Sequence, residues 1–174
     1  RAGLPGPPIG GPGVRGQIHG VAVRAAGVGA RGLEVAAEAE RLPELDRLCL
    51  SEAMEHFVEL NLPGQLFLNI TPVALVRYVA FGPSLEDMAS DAGIDPLRVV
   101  MEVTEDGVAS DVSQLRRAVD KLRQSGFGFA IDDLGAGFAG LRLWAELRPD
   151  YVKIDRYFVS QLHQDATRVE FVRS

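Results

Sequence analysis

The sequence lacks several features that are typical of particular protein classes. It has 18 Lys and Arg against 24 Asp and Glu, a net charge of −6. It contains no block of Lys and Arg, so electrostatics gives no reason for binding long nucleic acid. No run of about 18 apolar residues occurs, so we expect no membrane span. The single cysteine, Cys49, excludes an intrachain disulfide.

The N-terminal segment lacks the apolar stretch of a signal peptide. Residues 1–16 are rich in glycine and proline, a composition that disfavours both helices and strand interiors. We interpret this segment as a linker or a degenerate first strand. We expect a cytoplasmic, reducing environment for the domain. A membrane-tethered parent protein stays open as an alternative, since the chain has the character of a fragment.

The sequence does contain an alternation of strand and helix patterns along its 174 residues. Apolar runs of strand length occur at residues 18–24, 66–70, 98–103, 127–131 and 151–154. Helices are predicted at residues 33–60, 73–81, 85–93, 113–125, 139–147 and 160–174. Continuous apolar strands between helices favour a parallel sheet, in an α/β barrel or a doubly wound fold. A complete TIM barrel has about 250 residues, so we expect one or two strand–helix units to be missing.

Each of the four longer apolar strands ends in an amide, a carboxylate or an amine. Ligands of such folds bind at the carboxyl ends of the strands, so these side chains should converge. A charged group in a buried strand is unfavourable unless it is paired or binds a metal. In chain order, the strand ends supply Asn69, then Glu102 with Glu105, then Asp132 with Asp133, and then Lys153 with Asp155.

The oxygen donors in this group favour a hard divalent cation, Mg²⁺ or Mn²⁺. The adjacent Asp132 and Asp133 suit two metal ions, an arrangement used in phosphodiester hydrolysis. Lys153 suits a role in holding or deprotonating the attacking water, or in neutralising a phosphate. Taken singly, each carboxylate is more often a helix cap or an ion-pair partner than a metal ligand, and only the four strand ends together favour a site. Asp155 fits that simpler role best, with Arg156 or a nearby loop as its partner.

A second hypothesis comes from the glycines that follow the Asp pair. Gly135 to Gly140 reads G-x-G-x-x-G between a strand and a helix, and Asp155 ends the next strand, as in dinucleotide-binding folds. Against this, Asp132 and Asp133 directly precede the glycines and would repel a pyrophosphate unless a metal lies between them. The hypothesis predicts NAD(H) binding without a metal.

Four segments in order resemble motifs of the EAL domain family, bacterial modules that bind or hydrolyse cyclic di-GMP. LFLNITP (66–72) resembles the strand with the metal-binding Asn, and MEVTED (101–106) resembles the E-x-T-E motif. FAIDDLGAGFAG (129–140) is similar to the D-D-F-G-T-G-Y-S-S segment, and DYVKIDRYF (150–158) to the K-I-D motif. The resemblance covers residues 16–174 and implies a single EAL-like domain over residues 1–174. It also implies an incomplete TIM-barrel-like fold.

The resemblance implies roles for the residues at matching positions. Asn69, Glu102 and Asp132 become metal ligands, and Asp133 a ligand of a second metal. Lys153 becomes the lysine that activates water or faces a phosphate. Glu105 anchors the loop Leu134–Gly140, which in the family links metal binding to homodimerisation. Residues that contact the substrate, cyclic di-GMP, are Arg24, Asn69 and Asp155.

The chain also departs from the family pattern. The Glu-Ala-Leu strand is replaced by Gly20–Arg24 (GVAVR), which keeps the Arg but has no Glu, so metal binding should be weaker. Small residues replace the family's hydroxyl residues at Ala136, Ala139 and Gly140. The last two strands, with a further catalytic Glu, are expected to be absent. We therefore expect impaired hydrolysis to pGpG and a ligand-binding or regulatory role, beside other signalling domains in the parent protein.

Two alternatives to this expectation remain. The retained Asn69, Glu102, Asp pair and Lys153 favour an active, metal-dependent cyclic di-GMP phosphodiesterase. The other alternative is a fragment with no ligand function of its own, because a barrel that lacks strands exposes sheet edges and apolar surface.

Overall fold

A computed structural model of the chain describes residues 20–22, 42–81, 84–104, 112–135 and 140–160. The strands are β1 (Gly20–Ala22), β2 (Gln65–Asn69), β3 (Val99–Thr104), β4 (Gly128–Leu134) and β5 (Tyr151–Ile154). The helices are α1 (Leu42–Glu59), α2 (Pro72–Phe81), α3 (Leu85–Ala92), α4 (Val112–Gln124), α5 (Gly140–Leu147) and α6 (Arg156–Val159). A 3-10 turn, Pro96–Arg98, leads into β3.

The five strands form one parallel sheet in chain order, β1-β2-β3-β4-β5. Each strand therefore pairs with the next one along the chain, as in an α/β barrel. A doubly wound sheet reverses its strand order at a switch point, and the five described strands contain no such reversal. The sequence-based prediction of a parallel α/β sheet is confirmed.

The outer face of this sheet packs against the helices and forms the main hydrophobic core. Alternate residues of a strand share one face, and those of the outer face are almost fully buried. The strands contribute Leu66, Leu68, Val99, Met101, Val103, Phe129 and Ile131, and the helices contribute Met54, Phe57, Leu75, Leu115, Val119 and Leu143. This core explains why the strands read as continuous apolar runs.

The inner face carries a smaller cluster, and its contacts show that the sheet is strongly curved. A flat sheet would separate β2 from β5 by about 14 Å, since neighbouring strands lie about 4.8 Å apart. Instead, the Phe67 and Tyr151 rings meet edge to face at a centroid distance of 5.3 Å. The Tyr151 hydroxyl also donates to Gln65 Oε1 at 2.6 Å. β2 and β5 thus face each other across the inside of a barrel wall.

The helix boundaries follow from local capping. The Ser84 hydroxyl accepts a hydrogen bond from Asp87 N at 2.9 Å and begins α3, and Gly93, at φ 71°, ends it. Pro43 lies in the first turn of α1, where its missing N–H has no cost. None of the described helices is both long enough and apolar enough to cross a membrane.

Two elements differ from the sequence-based predictions. β4 was predicted to end at residue 131 but continues through both aspartates to Leu134, because an irregularity keeps it paired with β5. The short helix α6 was not predicted, and it begins directly after Asp155. Residues 33–41 of the predicted helix 33–60, and residues 161–174 of the predicted helix 160–174, lie outside the described residues.

Candidate metal centre

The strand register brings five polar side chains to the carboxyl edge of the inner face. Asn69 pairs with Glu102 across β2 and β3, and Thr104 pairs with Asp132 across β3 and β4. Lys153 reaches the same place from β5, and its ammonium contacts Glu102. Asn69, Glu102, Asp132 and Lys153 are all residues that the sequence predicted at strand ends, and the fold brings them together.

Glu102 is the centre of this group and is deeply buried. It is 1% exposed and is the one buried charged side chain among the described residues. Its Oε1 accepts a hydrogen bond from Lys153 Nζ. Its Oε2 is buried and has no hydrogen-bond partner among the described residues. A buried carboxylate oxygen without a partner is unfavourable, so this atom marks a place where a cation or a proton is stabilising.

Burial dominates the electrostatics of Glu102. Desolvation, together with the adjacent Asp132 carboxylate, raises the pKa of Glu102 from 4.5 to about 7, and Lys153 opposes this shift. Lys153 Nζ also lies 3.9 Å from Asp132 Oδ2, so one ammonium faces two carboxylates. This trio therefore carries one net negative charge when all its members are ionised, which attracts a further cation.

The two aspartates occupy a β-bulge between β4 and β5. Ile131 pairs with Val152 and Leu134 pairs with Ile154, so Asp132 and Asp133 together lie opposite the single residue Lys153. Asp133 has a φ of 53°, and its N–H donates to Asp132 Oδ1 at 2.9 Å. A bulge re-aims side chains, and bulges are common beside active sites. This one allows two consecutive carboxylates at the inner edge.

Lys153 is held by apolar as well as charged neighbours. Its ammonium lies 5.6 Å from the centroid of the Phe67 ring, within the range of a cation–π contact. The side chain is 29% exposed and ends between Glu102 and Asp132. Lys153 can therefore donate protons or hydrogen bonds towards the open edge of the barrel while its stem stays packed.

The chemical type of the donor atoms fits a hard divalent cation. Carboxylate and amide oxygens are the ligands that Mg²⁺ and Mn²⁺ prefer, and Glu102 Oε2 has no hydrogen-bond partner among the described residues. Within the described ranges, no three His, Cys, Asp or Glu side chains lie close enough together to hold a metal ion. A cation would therefore have to draw on the Asn69 amide as well, and it would compete with Lys153 for Glu102.

Several predicted site residues lie elsewhere or outside the described residues. The Asp155 carboxylate accepts from Tyr157 N at 2.7 Å and caps α6, the simple role that its sequence position suggested. This cap also occupies the acid that the dinucleotide hypothesis assigned to a ribose. Arg24, Glu105 and most of the loop Leu134–Gly140 lie outside the described residues.

One polar residue at this edge was missed by the sequence analysis. Thr104 ends β3 on the same face as Glu102, two residues further on, and it pairs with Asp132. The period of two along a strand was the available signal, because residues i and i+2 share a face. The bulge at the Asp pair had no comparable signal in the hydrophobic pattern.

The comparisons with known proteins agree with this geometry. A family model described as "EAL domain" matches residues 23–174. The chain belongs to the EAL domain family. EAL domains have a TIM-barrel-like fold, so the curved parallel sheet is a wall of that barrel.

Two curated relatives illustrate the range of proteins to which this EAL domain is similar. One is the "Blue light- and temperature-regulated antirepressor BluF" of Escherichia coli K12, 30% identical over 132 residues, covering 75% of this chain and 32% of that protein. The other is the "Cyclic di-GMP phosphodiesterase PdeB" of Shewanella oneidensis, 31% identical over 152 residues, covering 79% of this chain and 17% of that protein. The chain thus spans a third or less of these relatives.

Solved structures to which the chain is similar also include EAL domains. The chain matches Klebsiella pneumoniae BlrP1, in a structure described as a pH 9.0 manganese/cy-diGMP complex, with 33% identity and a TM-score of 0.71. The match covers 80% of this chain and 36% of that chain. It also matches the EAL domain of Mycobacterium smegmatis DcpA, with 30% identity, a TM-score of 0.65, and coverage of 75% and 60%.

Proposed function

We propose that this EAL domain binds cyclic di-GMP through a Mg²⁺ or Mn²⁺ centre at the carboxyl edge of its barrel, and that it acts mainly as a ligand-binding or regulatory module. The observation that carries the proposal is the buried Oε2 of Glu102, which lies beside Asp132 and Lys153 and has no hydrogen-bond partner within the part of the chain that the structure describes. In a strand with a purely structural role, such a buried oxygen would only be unfavourable. In a site that binds a cation and an anionic ligand, the cation would neutralise this oxygen.

The proposed metal ligands are Asn69, Glu102, Asp132 and Asp133. They come from the ends of three neighbouring strands, β2, β3 and β4, so a cation there would bind several elements at once. When bound, the metal would supply charge neutralisation for a phosphodiester and acidify a water molecule. The manganese complex of BlrP1, a similar protein, supports this choice of metal.

Lys153 is the proposed proton-holding and phosphate-facing residue. Its ammonium lies between Glu102 and Asp132 and is proposed to face the edge where a phosphate would lie. Asp133 and Glu105 are proposed to assist, the first at the metal and the second by anchoring the following loop. Arg24 and Asn69 are proposed ligand contacts. Asp155, which also caps α6, is the third proposed ligand contact.

The proposal of impaired hydrolysis depends on a missing carboxylate. The segment Gly20–Arg24 contains no Glu, and removal of one anionic ligand weakens a divalent-cation site. The relative BluF, named an antirepressor rather than a phosphodiesterase, supports a regulatory role for a similar domain. The retained Lys153 and Asp pair favour the second candidate, an active phosphodiesterase that produces pGpG, as does the name of PdeB.

We further propose that residues 1–174 form one EAL domain, with residues 1–16 as a linker or degenerate strand. The domain would work in the cytoplasm beside other signalling domains of a longer parent protein. Homodimerisation through the loop Leu134–Gly140 is proposed as well, and analytical ultracentrifugation with and without Mn²⁺ tests it.

Calorimetric titration of cyclic di-GMP into the purified chain tests the proposed binding. We expect binding in Mg²⁺ or Mn²⁺ that is lost in EDTA and in Asp132→Asn. The matched control is Asp91→Asn, which changes an exposed carboxylate on α3 and should bind like the wild type. No binding by a demonstrably folded wild type, or binding indifferent to EDTA and to Asp132→Asn, would refute the proposed site.

Chromatography of the nucleotide products separates receptor from enzyme. We expect turnover well below about 1 s⁻¹, the lower range of ordinary enzymes. Turnover at or above that rate, abolished by Lys153→Met, would establish the phosphodiesterase instead.

A further inference from the structure

The starts of β4 and β5 are joined by a contact that resembles a ladder pair but uses a side chain. The backbone N–H of Asp150 donates to Phe129 O at 2.9 Å. In return, the Asp150 carboxylate accepts from Phe129 N at 2.9 Å. Asp150 therefore satisfies both backbone groups of Phe129, and the first ladder partners, Ala130 and Tyr151, follow directly.

Arg123, in the last turn of α4, holds this junction from outside the sheet. Its Nε lies 3.6 Å from Asp150 Oδ2. Its Nη2 donates to Leu147 O at 3.1 Å and to Arg148 O. Its guanidinium carbon lies 6.0 Å from the centroid of the Phe129 ring. One side chain thus contacts the end of α5, the turn after it, Asp150 just before β5, and Phe129 near the start of β4.

The turn between α5 and β5 needs such a partner. Arg148 has a φ of 47°, a left-handed conformation that residues other than glycine seldom adopt. Its carbonyl and that of Leu147 belong to the end of α5, where helical acceptors have no partner within the helix. The fork of donors on a guanidinium reaches both carbonyls and a carboxylate, whereas a lysine ammonium is a single point charge.

This junction bears on the candidate metal centre through strand register. β4 uses five steps from Phe129 to Leu134, while β5 uses four from Asp150 to Ile154, and the difference is the bulge at the Asp pair. The far end is closed by Asp155 N, which donates to Leu134 O at 3.1 Å. A slip of one residue would turn Lys153 outwards and Val152 inwards, because strand side chains alternate.

We infer that Arg123 is a positioning residue that fixes β4 against β5 and thereby keeps the Asp pair opposite Lys153. The inference rests on the proposed metal centre for its functional meaning. Arg123 touches no residue of that centre, so its effect passes through Asp150 and the register of the two strands. Arg123→Met removes the guanidinium, and Arg117→Met, at an exposed position on the same helix, is the matched control.

Amide hydrogen exchange of the full chain in EDTA tests the register claim without any metal. In Arg123→Met we expect exchange at least tenfold faster at Phe129, Asp150 and also at Asp155, at the far end of the pairing. Exchange should stay unchanged at Ile70, whose N–H donates to Glu102 O between β2 and β3. Faster exchange confined to Phe129 and Asp150, or spread equally to Ile70, would overturn the inference.

Mn²⁺ affinity, measured by electron paramagnetic resonance of free Mn²⁺ on folded samples, tests the link to the centre. Partners that orient metal ligands typically change affinity by about 10- to 100-fold. We expect about a tenfold loss in Arg123→Met, recovered in part by Arg123→Lys, and no loss in Arg117→Met. Equal affinity of Arg123→Met and wild type would overturn the inference. A wild type that binds no Mn²⁺ would refute the proposed function, and the exchange experiment would still decide the register claim.

Discussion

Glu102 places a carboxylate on the inner face of β3, where only 1% of the residue is exposed. Such a group destabilises the folded chain unless it is neutralised by an ammonium, a proton or a metal cation. Lys153 reaches only Oε1, and Oε2 has no partner among the described residues. Without a metal, protonation therefore becomes the favourable way to complete this site.

The raised pKa of Glu102 predicts a specific pH dependence of stability. Burial and Asp132 raise the pKa to about 7 from 4.5, so the folded chain holds a proton that the unfolded chain releases. The resulting stabilisation is complete below about pH 4.5 and is lost as the pH rises through 7. In EDTA, we expect the free energy of unfolding of wild type minus that of Glu102→Gln to fall by on the order of 2 kcal/mol across this window.

Urea denaturation at half-unit pH steps measures this difference, and the comparison with Glu102→Gln cancels the contribution of titrating groups that do not interact with Glu102. If the two proteins give parallel curves between pH 4.5 and 8, Glu102 is ionised throughout and Lys153 suffices as its partner.

The sequence was enough to predict which residues form the candidate site, but not which of their side chains contact one another. An apolar run indicates a buried strand, and a polar residue at the end of that strand indicates a candidate ligand. These two signals are enough to predict Asn69, Glu102 and Asp132 as site residues. The Glu102–Lys153 contact joins residues 51 positions apart on β3 and β5. It depends on how far the sheet curves and on the register of two strand pairs, which no local pattern records.

At the scale of single elements, the end of β4 is packed directly against α6. Gly135 has a φ of 103°, and a Cβ at this position would lie 2.5 Å from Phe158 Cε2. The backbone just after the Asp pair therefore touches the Phe158 ring. Both the conformation and the space exclude a side chain here, so α6 limits where the following loop can start.

Gly135→Ala is expected to destabilise the chain by roughly 2 kcal/mol or more, since backbone strain and a steric clash combine. The matched control, Gly93→Ala, also has a positive φ, 71°, but nothing lies within 4 Å of its Cβ. That variant should lose only about 1 kcal/mol. Urea denaturation measures both.

A Phe158→Ala background separates the two contributions. There the cost of Gly135→Ala should drop to about that of Gly93→Ala. An unchanged cost would show that the strain at Gly135 is conformational only.

Element boundaries were predictable where caps mark them and not where pairing decides them. α3 begins after Ser84 and ends at Gly93, both typical capping residues, and its predicted range was right to within one residue. β4 extends beyond its apolar run because the bulge allows the strand to remain paired with β5 past the two aspartates. Bulges follow from twist and pairing between strands, which the hydrophobic pattern of one strand does not encode.

At the scale of the molecule, the curvature of the sheet turns four strand ends into one site. Phe67, Tyr151 and Gln65 fill the inside of the barrel wall below the charged residues. The Gln65 amide is oriented at both ends, because its Nε2 donates to Leu97 O at 3.3 Å while its Oε1 accepts from Tyr151. This polar link spans β2 to β5 and holds the wall in its curved form.

A double-mutant cycle tests this link. Tyr151→Phe should destabilise the chain by about 1 kcal/mol, as expected for a hydrogen bond. With Gln65→Leu, the two effects should be non-additive by at least about 0.5 kcal/mol, because contacting residues couple. Fully additive effects in chemical denaturation would mean that the hydrogen bond from Tyr151 to Gln65 does not contribute to stability in solution.

The hydrophobic pattern predicted the class of the architecture but not its shape, and the TIM-barrel-like shape was predicted only through the resemblance to the EAL family. Alternating helices and apolar strands indicated a parallel α/β fold, and the motif order identified the family. Barrel or doubly wound sheet stayed open from the hydrophobic pattern, because both bury their strands on two faces. Ala130 is a small residue of the inner face that packs in one cluster with its partner Tyr151, yet this effect is visible only once the strands are paired.

Between Ile131 and Leu134, β4 is one residue longer than its pairing with β5 requires. Loss of Asp133 would therefore leave a regular ladder, with Leu134 still opposite Ile154 and still in the outer core. Loss of a residue earlier in β4 would instead move side chains of the outer face to the inner face, and those of the inner face to the outer face. A one-residue deletion at the bulge thus removes a candidate metal ligand and spares the fold, so architecture and chemistry can diverge at this position through a change in chain length alone.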